Sequence, residues 1–214
     1  MNKDKKEKNR KLTPAEERRL RNFRNLSEEM EQNGYQIHER TISLVRANIL
    51  ILIAVIPLTA AVMILFYNLH PKTNSFEITG IGIPIAIALV VLLPVVHELI
   101  HGFVWGLFSK HHFHDIEFGV IWKYGAAYCT CRQPLERSQY LLGGVMPLIV
   151  LGLLPLLFGL YAGSMILTLV GLYMTIAAGG DVMILIQLLT FHTDAQDVVI
   201  YDHPTQGGCV VFTK

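Results

Sequence analysis

Charge is nearly missing from the middle of this sequence. Four stretches, 47–67, 80–108, about 140–161 and about 165–191, contain no lysine or arginine at all. Only 16% of the 214 residues are charged while 52% are hydrophobic, a balance that excludes an ordinary soluble domain. Crossing a bilayer core takes about 20 residues of helix, and each stretch is long enough. Core helices of soluble proteins are shorter and keep a polar face. A secretory signal is also missing: the first 46 residues are highly charged, with no short apolar core before a small-residue cleavage site. Cysteine is sparse. Cys129, Cys131 and Cys209 cannot build a disulfide framework. The chain shows no internal repeat and no low-complexity tract beyond its basic start. Its net charge of +1 gives no footing for nucleic acid as a partner.

That near-neutral sum hides an asymmetry. Twelve of the 18 Lys and Arg residues lie in 1–46, Lys110, Lys123, Arg132 and Arg137 lie between the second and third stretches, and Lys214 is in the tail. With four spans these regions share one side, which then holds 17 of 18; only Lys72 falls opposite. The positive-inside rule makes that side the cytosol, with both termini and all three cysteines on it. The basic start either touches anionic lipid or is a solvated charged helix.

The expected fold is an all-α membrane protein: four transmembrane helices with a small β-hairpin or sheet at the cytosolic face. Residues 1–46 form a cytosolic basic tail and amphipathic helix. Residues 47–191 form the membrane domain, with a β-rich cytosolic insert at 109–138, and 192–214 a cytosolic extension. Residues 1–12 read as disordered. Thr13, Pro14 and Glu16 make a helix start with a capping box, and Asn33-Gly34 is the stop near Gln32. A short outside loop with Pro71, Asn74 and Ser75 joins the first two spans. Within the insert, 116–122 and 126–131 are rich in β-formers, with a turn at Lys123-Tyr124-Gly125.

Against this apolar background, the four stretches contain only four acids, bases or histidines: His97, Glu98, His101 and Asp181. Each is costly in lipid and demands a partner or a function. His97 and His101 stand one helical turn apart on one face. Glu98 lies about 100° around the helix, placed to hold a water rather than to ligate. This is the H-E-x-x-H zinc signature. A catalytic zinc takes three protein ligands and leaves one position open, so a third ligand is required. Asp181 is the other intramembrane acid. Depth agrees: His97 and His101 lie 13 and 9 residues before Lys110, and Asp181 lies 11 before His192. At 1.5 Å per residue all three sit roughly 14–20 Å in. Pro94 can open the helix one turn before His97. Gly102 and Gly106 permit close approach of another helix, Gly179-Gly180 give room around an ion, and Pro147 and Pro155 interrupt the third span. A second donor cluster, His111, His112 and His114 with Cys129 and Cys131, matches no zinc spacing and reads as surface residues near the interface.

With these residues in view, the chain resembles the site-2 protease clan of intramembrane zinc metalloproteases. It is more closely similar to a bacterial family of zincin membrane peptidases. The likeness rests on HELIHG at 97–102, GGD at 179–181 and DHP at 202–204, and covers most of 85–205. It implies a membrane-embedded zinc metallopeptidase with Zn2+ on His97, His101 and Asp181 and with Glu98 as the catalytic base. The substrate would be a peptide or membrane protein in contact with the bilayer, extended at the bond cut, and the 116–131 strands could pair with it. Better-studied clan members have an asparagine and prolines before the aspartate and glycine after it. Here Ala177-Ala178-Gly179-Gly180 precede Asp181 and Val182 follows. A non-catalytic membrane protein stapled by zinc is the competing expectation. A transporter would need polar residues along a path, which the spans lack. Membrane zinc peptidases with a distant glutamate ligand need a second intramembrane glutamate, also lacking.

Overall fold

The computed structural model describes residues 13–72, 82–121 and 126–214. The expected disordered tail at 1–12, the loop positions Asn74 and Ser75, and Trp122 with the turn at Lys123-Tyr124-Gly125 lie outside the described residues.

Helix α1 is Pro14–Gln32. Thr13 caps it: its hydroxyl accepts from the Glu16 N–H at 3.3 Å, and Glu16 accepts the Thr13 N–H at 2.9 Å. The chain leaves α1 through Gly34 at φ +86, a left-handed conformation that glycine adopts freely. Strand β1, Gln36–Ile42, leads into helix α2, Leu44–Leu69, and helix α3 is Gly82–Phe108. A single 3₁₀ turn at His112–Asp115 connects α3 to an antiparallel hairpin of β2, Ile116–Ile121, and β3, Ala126–Cys131. The short strand β4, Leu135–Glu136, runs straight into α4, Arg137–Pro147. A π-helical segment, Leu148–Leu153, joins α4 to α5, Leu154–Ala162. Helices α6, Met165–Ala177, and α7, Gly179–Leu189, are followed by strands β5, Val198–Asp202, and β6, Gly207–Thr213.

Among the described residues, three helical stretches are long and apolar enough to cross a membrane: 46–69, 83–108 and 137–162. Helices α6 and α7 make a fourth if counted as one span, but they are bent by 51° at Ala178. The stretch from Met165 to Leu189 is therefore not the straight span on which equal depths for His97, His101 and Asp181 were expected. Leu52, Ile53 and Ile56 on α2 and Ile87 and Val91 on α3 are each more than 60% exposed. Continuous apolar surface of that extent is rare on soluble proteins and matches a lipid-facing one.

The structure is mostly helical with a small antiparallel β component, as expected, and that component extends beyond the 116–131 hairpin. Besides the hairpin, a four-stranded antiparallel sheet runs in the order β1-β6-β5-β4. It joins the segment before the first span to the tail, with Gln36 opposite Thr213 and Ile42 opposite Gly207. Both faces of the sheet are covered. Val210 and Phe212 of β6 and Tyr201 of β5 pack under Phe23, Leu26 and Met30 of α1. The alternate residues, Cys209, Val211 and Ile200, pack against Trp105, Tyr140 and Leu188 of the helices. The sheet therefore lies between α1 and the end of the bundle where α3 finishes. Arg137 at the start of α4 donates to the Leu188 carbonyl at 2.5 Å, fixing the end of α7 to the same region.

Glycine contacts correct one expectation. A Cβ on Gly102 would meet Phe118 at 2.4 Å, and one on Gly106 would meet Phe113 at 2.5 Å. What comes close to α3 there is the hairpin and the 3₁₀ turn, rather than another helix. Helix α4 approaches through its own Gly143, whose Cβ would meet the Trp105 indole at 2.1 Å.

Candidate metal centre

Helix α3 carries His97 and His101 on one face because four residues make about one turn. Helix α7 begins at Gly179, so Asp181 stands in its first turn, where a negative side chain suits the helix dipole. The structure brings the three together. His97 Nε2 lies 2.9 Å from Asp181 Oδ2 and 3.1 Å from His101 Nε2, and His101 Nε2 lies 3.5 Å from the same Oδ2. Two nitrogens and one oxygen on a tetrahedral zinc, each about 2.0–2.2 Å from the metal, stand about 3.3 Å apart. The triangle fits one face of that tetrahedron. His97 and His101 are 6% and 3% exposed, whereas the Asp181 side chain keeps 29%. Among the described residues this is the one group of three or more such side chains that could hold a metal. The cluster around His111, His112, His114, Cys129 and Cys131 does not assemble. Asp115 occupies His111 and Ser109 instead. Burial pushes the Cys129 and Cys131 thiols up from their usual range, away from the thiolate form that binds metal.

Glu98 turns to a cavity of about 170 Å³ that it lines with His101, Asp181, Tyr128, Cys129 and Asp202. The Cys129 backbone N–H hydrogen-bonds its carboxylate. Beside Asp181, Gly180 has nothing within 4 Å of where a Cβ would stand, while Gly179 packs on Ile51 of α2.

Around the triangle lies a second set of residues. His101 Nδ1 donates to the Gly143 carbonyl at 2.8 Å. The His101 ring stacks on Trp105 at 5.0 Å, and Trp105 stacks on Tyr140 at 5.2 Å. Trp105 Nε1 donates to the Tyr140 carbonyl at 3.2 Å, and the Tyr140 hydroxyl donates to Asp202 Oδ1 at 2.6 Å. Asp202 Oδ2 also accepts the Cys131 N–H at 3.3 Å. Sequence reasoning did not reach Trp105, Tyr140 or Gly143, and met Asp202 only within DHP. The available signals were an aspartate in an otherwise apolar strand and a proline four residues after Gly143.

A family model described as "Putative zincin peptidase" matches residues 90–196, half of the chain. The chain belongs to this family. Its zincin character implies zinc and suggests metallopeptidase activity, and the matched region contains His97, Glu98, His101 and Asp181. No curated protein and no solved structure matches the chain.

Proposed function

We propose that this zincin-family protein is a membrane-embedded zinc metallopeptidase that hydrolyses peptide bonds of membrane-associated or membrane-spanning substrates. The observation that carries the reading is the His97–His101–Asp181 triangle, with edges of 2.9, 3.1 and 3.5 Å, next to a cavity that Glu98 lines. These three side chains would hold the metal. When bound, zinc supplies Lewis acidity toward water and the scissile carbonyl. Glu98 acts as general base: it takes a proton from the attacking water and gives it to the leaving amine as the C–N bond breaks.

Strand β3 suits an extended substrate. Among the described residues β2 is its one paired strand, which leaves part of its other edge to strand addition. On that edge the Cys129 N–H is held by Glu98 and the Cys131 N–H by Asp202. Pairing is then left to the Ala127 end, which also lines the cavity. The lysine and arginine asymmetry supports a multi-pass protein of the cell membrane with both termini in the cytoplasm.

The test is metal content and hydrolysis of detergent-purified protein. Wild type is expected to carry about one zinc per chain, lost in His97→Ala and in Asp181→Ala. Glu98→Gln is expected to keep the metal and lose cleavage of membrane-derived peptides by at least about 100-fold. A metal-loaded Glu98→Gln variant that cleaves like wild type would sink the mechanism. A folded wild type that carries no metal would leave a non-catalytic membrane protein.

A further inference from the structure

Two prolines in the site helices leave carbonyls without their helical donors, and side chains use both carbonyls. In an α-helix the carbonyl of residue i accepts from the N–H of residue i+4. A proline at i+4 has no N–H, and its ring pushes that carbonyl outward. Pro94 thus frees Val90 on α3, whose oxygen accepts the Tyr173 hydroxyl at 3.1 Å. Pro147 frees Gly143 on α4, whose oxygen accepts His101 Nδ1 at 2.8 Å. A carbonyl only accepts, so Nδ1 carries the ring proton and His101 Nε2 presents its lone pair to the donor triangle. Gly143 also allows the approach itself, since a Cβ there would collide with the Trp105 indole. The stacking of His101 on Trp105, at 19° between planes, then fixes the ring's tilt.

We infer that Pro147 and Gly143 act as a positioning pair for His101, setting its tautomer and ring plane before any metal arrives. Only the purpose of the free Nε2 rests on the zinc reading above. His97 has no such support. Its Nδ1 is buried with no hydrogen-bond partner among the described residues, and its Nε2 faces two acceptors, Asp181 Oδ2 and His101 Nε2. The fixed partner at Nδ1 is thus particular to His101.

Nitrogen-15 NMR of histidine-labelled, metal-free protein in detergent, at a pH where the histidines are neutral, reads the tautomers directly. The His101 signal is assigned by its loss in His101→Ala. Wild type is expected to show His101 with a protonated Nδ1 and a bare Nε2; the reverse tautomer would overturn the inference without any further variant. Pro147→Ala restores an N–H to compete for the Gly143 carbonyl. It is expected to shift His101 toward the Nε2–H form and to weaken zinc binding about 10–100-fold. Pro155→Ala, in the same span, is expected to change neither. A folded Pro147→Ala variant with the wild-type tautomer would also overturn the inference. If the tautomers behave as stated but wild type takes up no zinc, the zinc reading fails and the positioning pair stands.

Discussion

The Asp202 carboxyl accepts from the Tyr140 hydroxyl at 2.6 Å, from the Cys131 N–H at 3.3 Å and from Thr130. It ties β5, β3 and α4 together at the cavity wall. Tyr140→Phe removes the shortest of these bonds from a buried acceptor, so a loss of about 1–3 kcal/mol is expected, measurable as a lowered Tm. Burial pushes the Asp202 carboxyl above its ordinary range, and its hydrogen bonds pull it back only in part. A carboxyl raised on folding binds its proton more tightly in the folded chain. Its contribution to stability is thus full below the ordinary carboxylate value and is lost as pH rises through the raised one. Asp202→Asn should flatten the pH dependence of Tm across that window; an unchanged slope would mean that the aspartate does not titrate there. Asp115 works in the opposite sense. Burial pushes it up, but hydrogen bonds from Ser109 and His111 more than offset this and hold it below the usual range. Its stabilisation is present at neutral pH and is lost as pH falls through the lowered value.

Between helices α5 and α6 the backbones nearly touch. A Cβ on Gly171 would stand 2.2 Å from the Leu156 nitrogen, and one on Gly159 2.4 Å from the Thr168 nitrogen. Backbone cannot step aside as a flexible side chain can. Gly171→Ala and Gly159→Ala are each expected to cost about 1–3 kcal/mol, seen as a drop in Tm. Gly180→Ala meets nothing within 4 Å and should be neutral, or stabilising by up to about 1 kcal/mol. Equal losses at all three glycines would contradict the packing described. At this scale the sequence was informative wherever chemistry was rare. His97, Glu98, His101 and Asp181 stood out because the apolar stretches hold no other Asp, Glu, His, Lys or Arg. The Thr13–Glu16 cap and the 116–131 hairpin follow local rules of capping and strand propensity. The bend at Ala178 was hidden, because AAGGD reads as permissive without saying which way the helix turns. The role of Gly143 was hidden as well, since it depends on which helix comes to lie beside α4.

Taken whole, the molecule places a sheet between a charged helix and an apolar bundle. That sheet was illegible in the sequence for a physical reason. A strand with one wet face alternates in polarity, whereas VVIY and CVVF are covered on both sides and read as unpatterned apolar runs. Strand β1, QIHERTI, is polar because it lies at the sheet's edge, and nothing local names β6 as its partner. The covering has a consequence for the three thiols. Cys131 and Cys209 are buried, and burial pushes the Cys209 thiol up to about 12. Alkylating reagents should spare both in the folded protein and modify all three cysteines after denaturation. Rapid native labelling of Cys209 would show the sheet to be open.

Strand β1 precedes every apolar helix in the chain, and its partner β6 follows them all. Their register, Gln36 with Thr213, asks for one of the longest loop closures the chain contains, and such closures come late in folding. The donor triangle closes only 84 residues, from His97 to Asp181, and the Tyr140–Asp202 bond of the cavity wall 62. On the ribosome the site and its wall can thus be born together, while β1 is still a single strand.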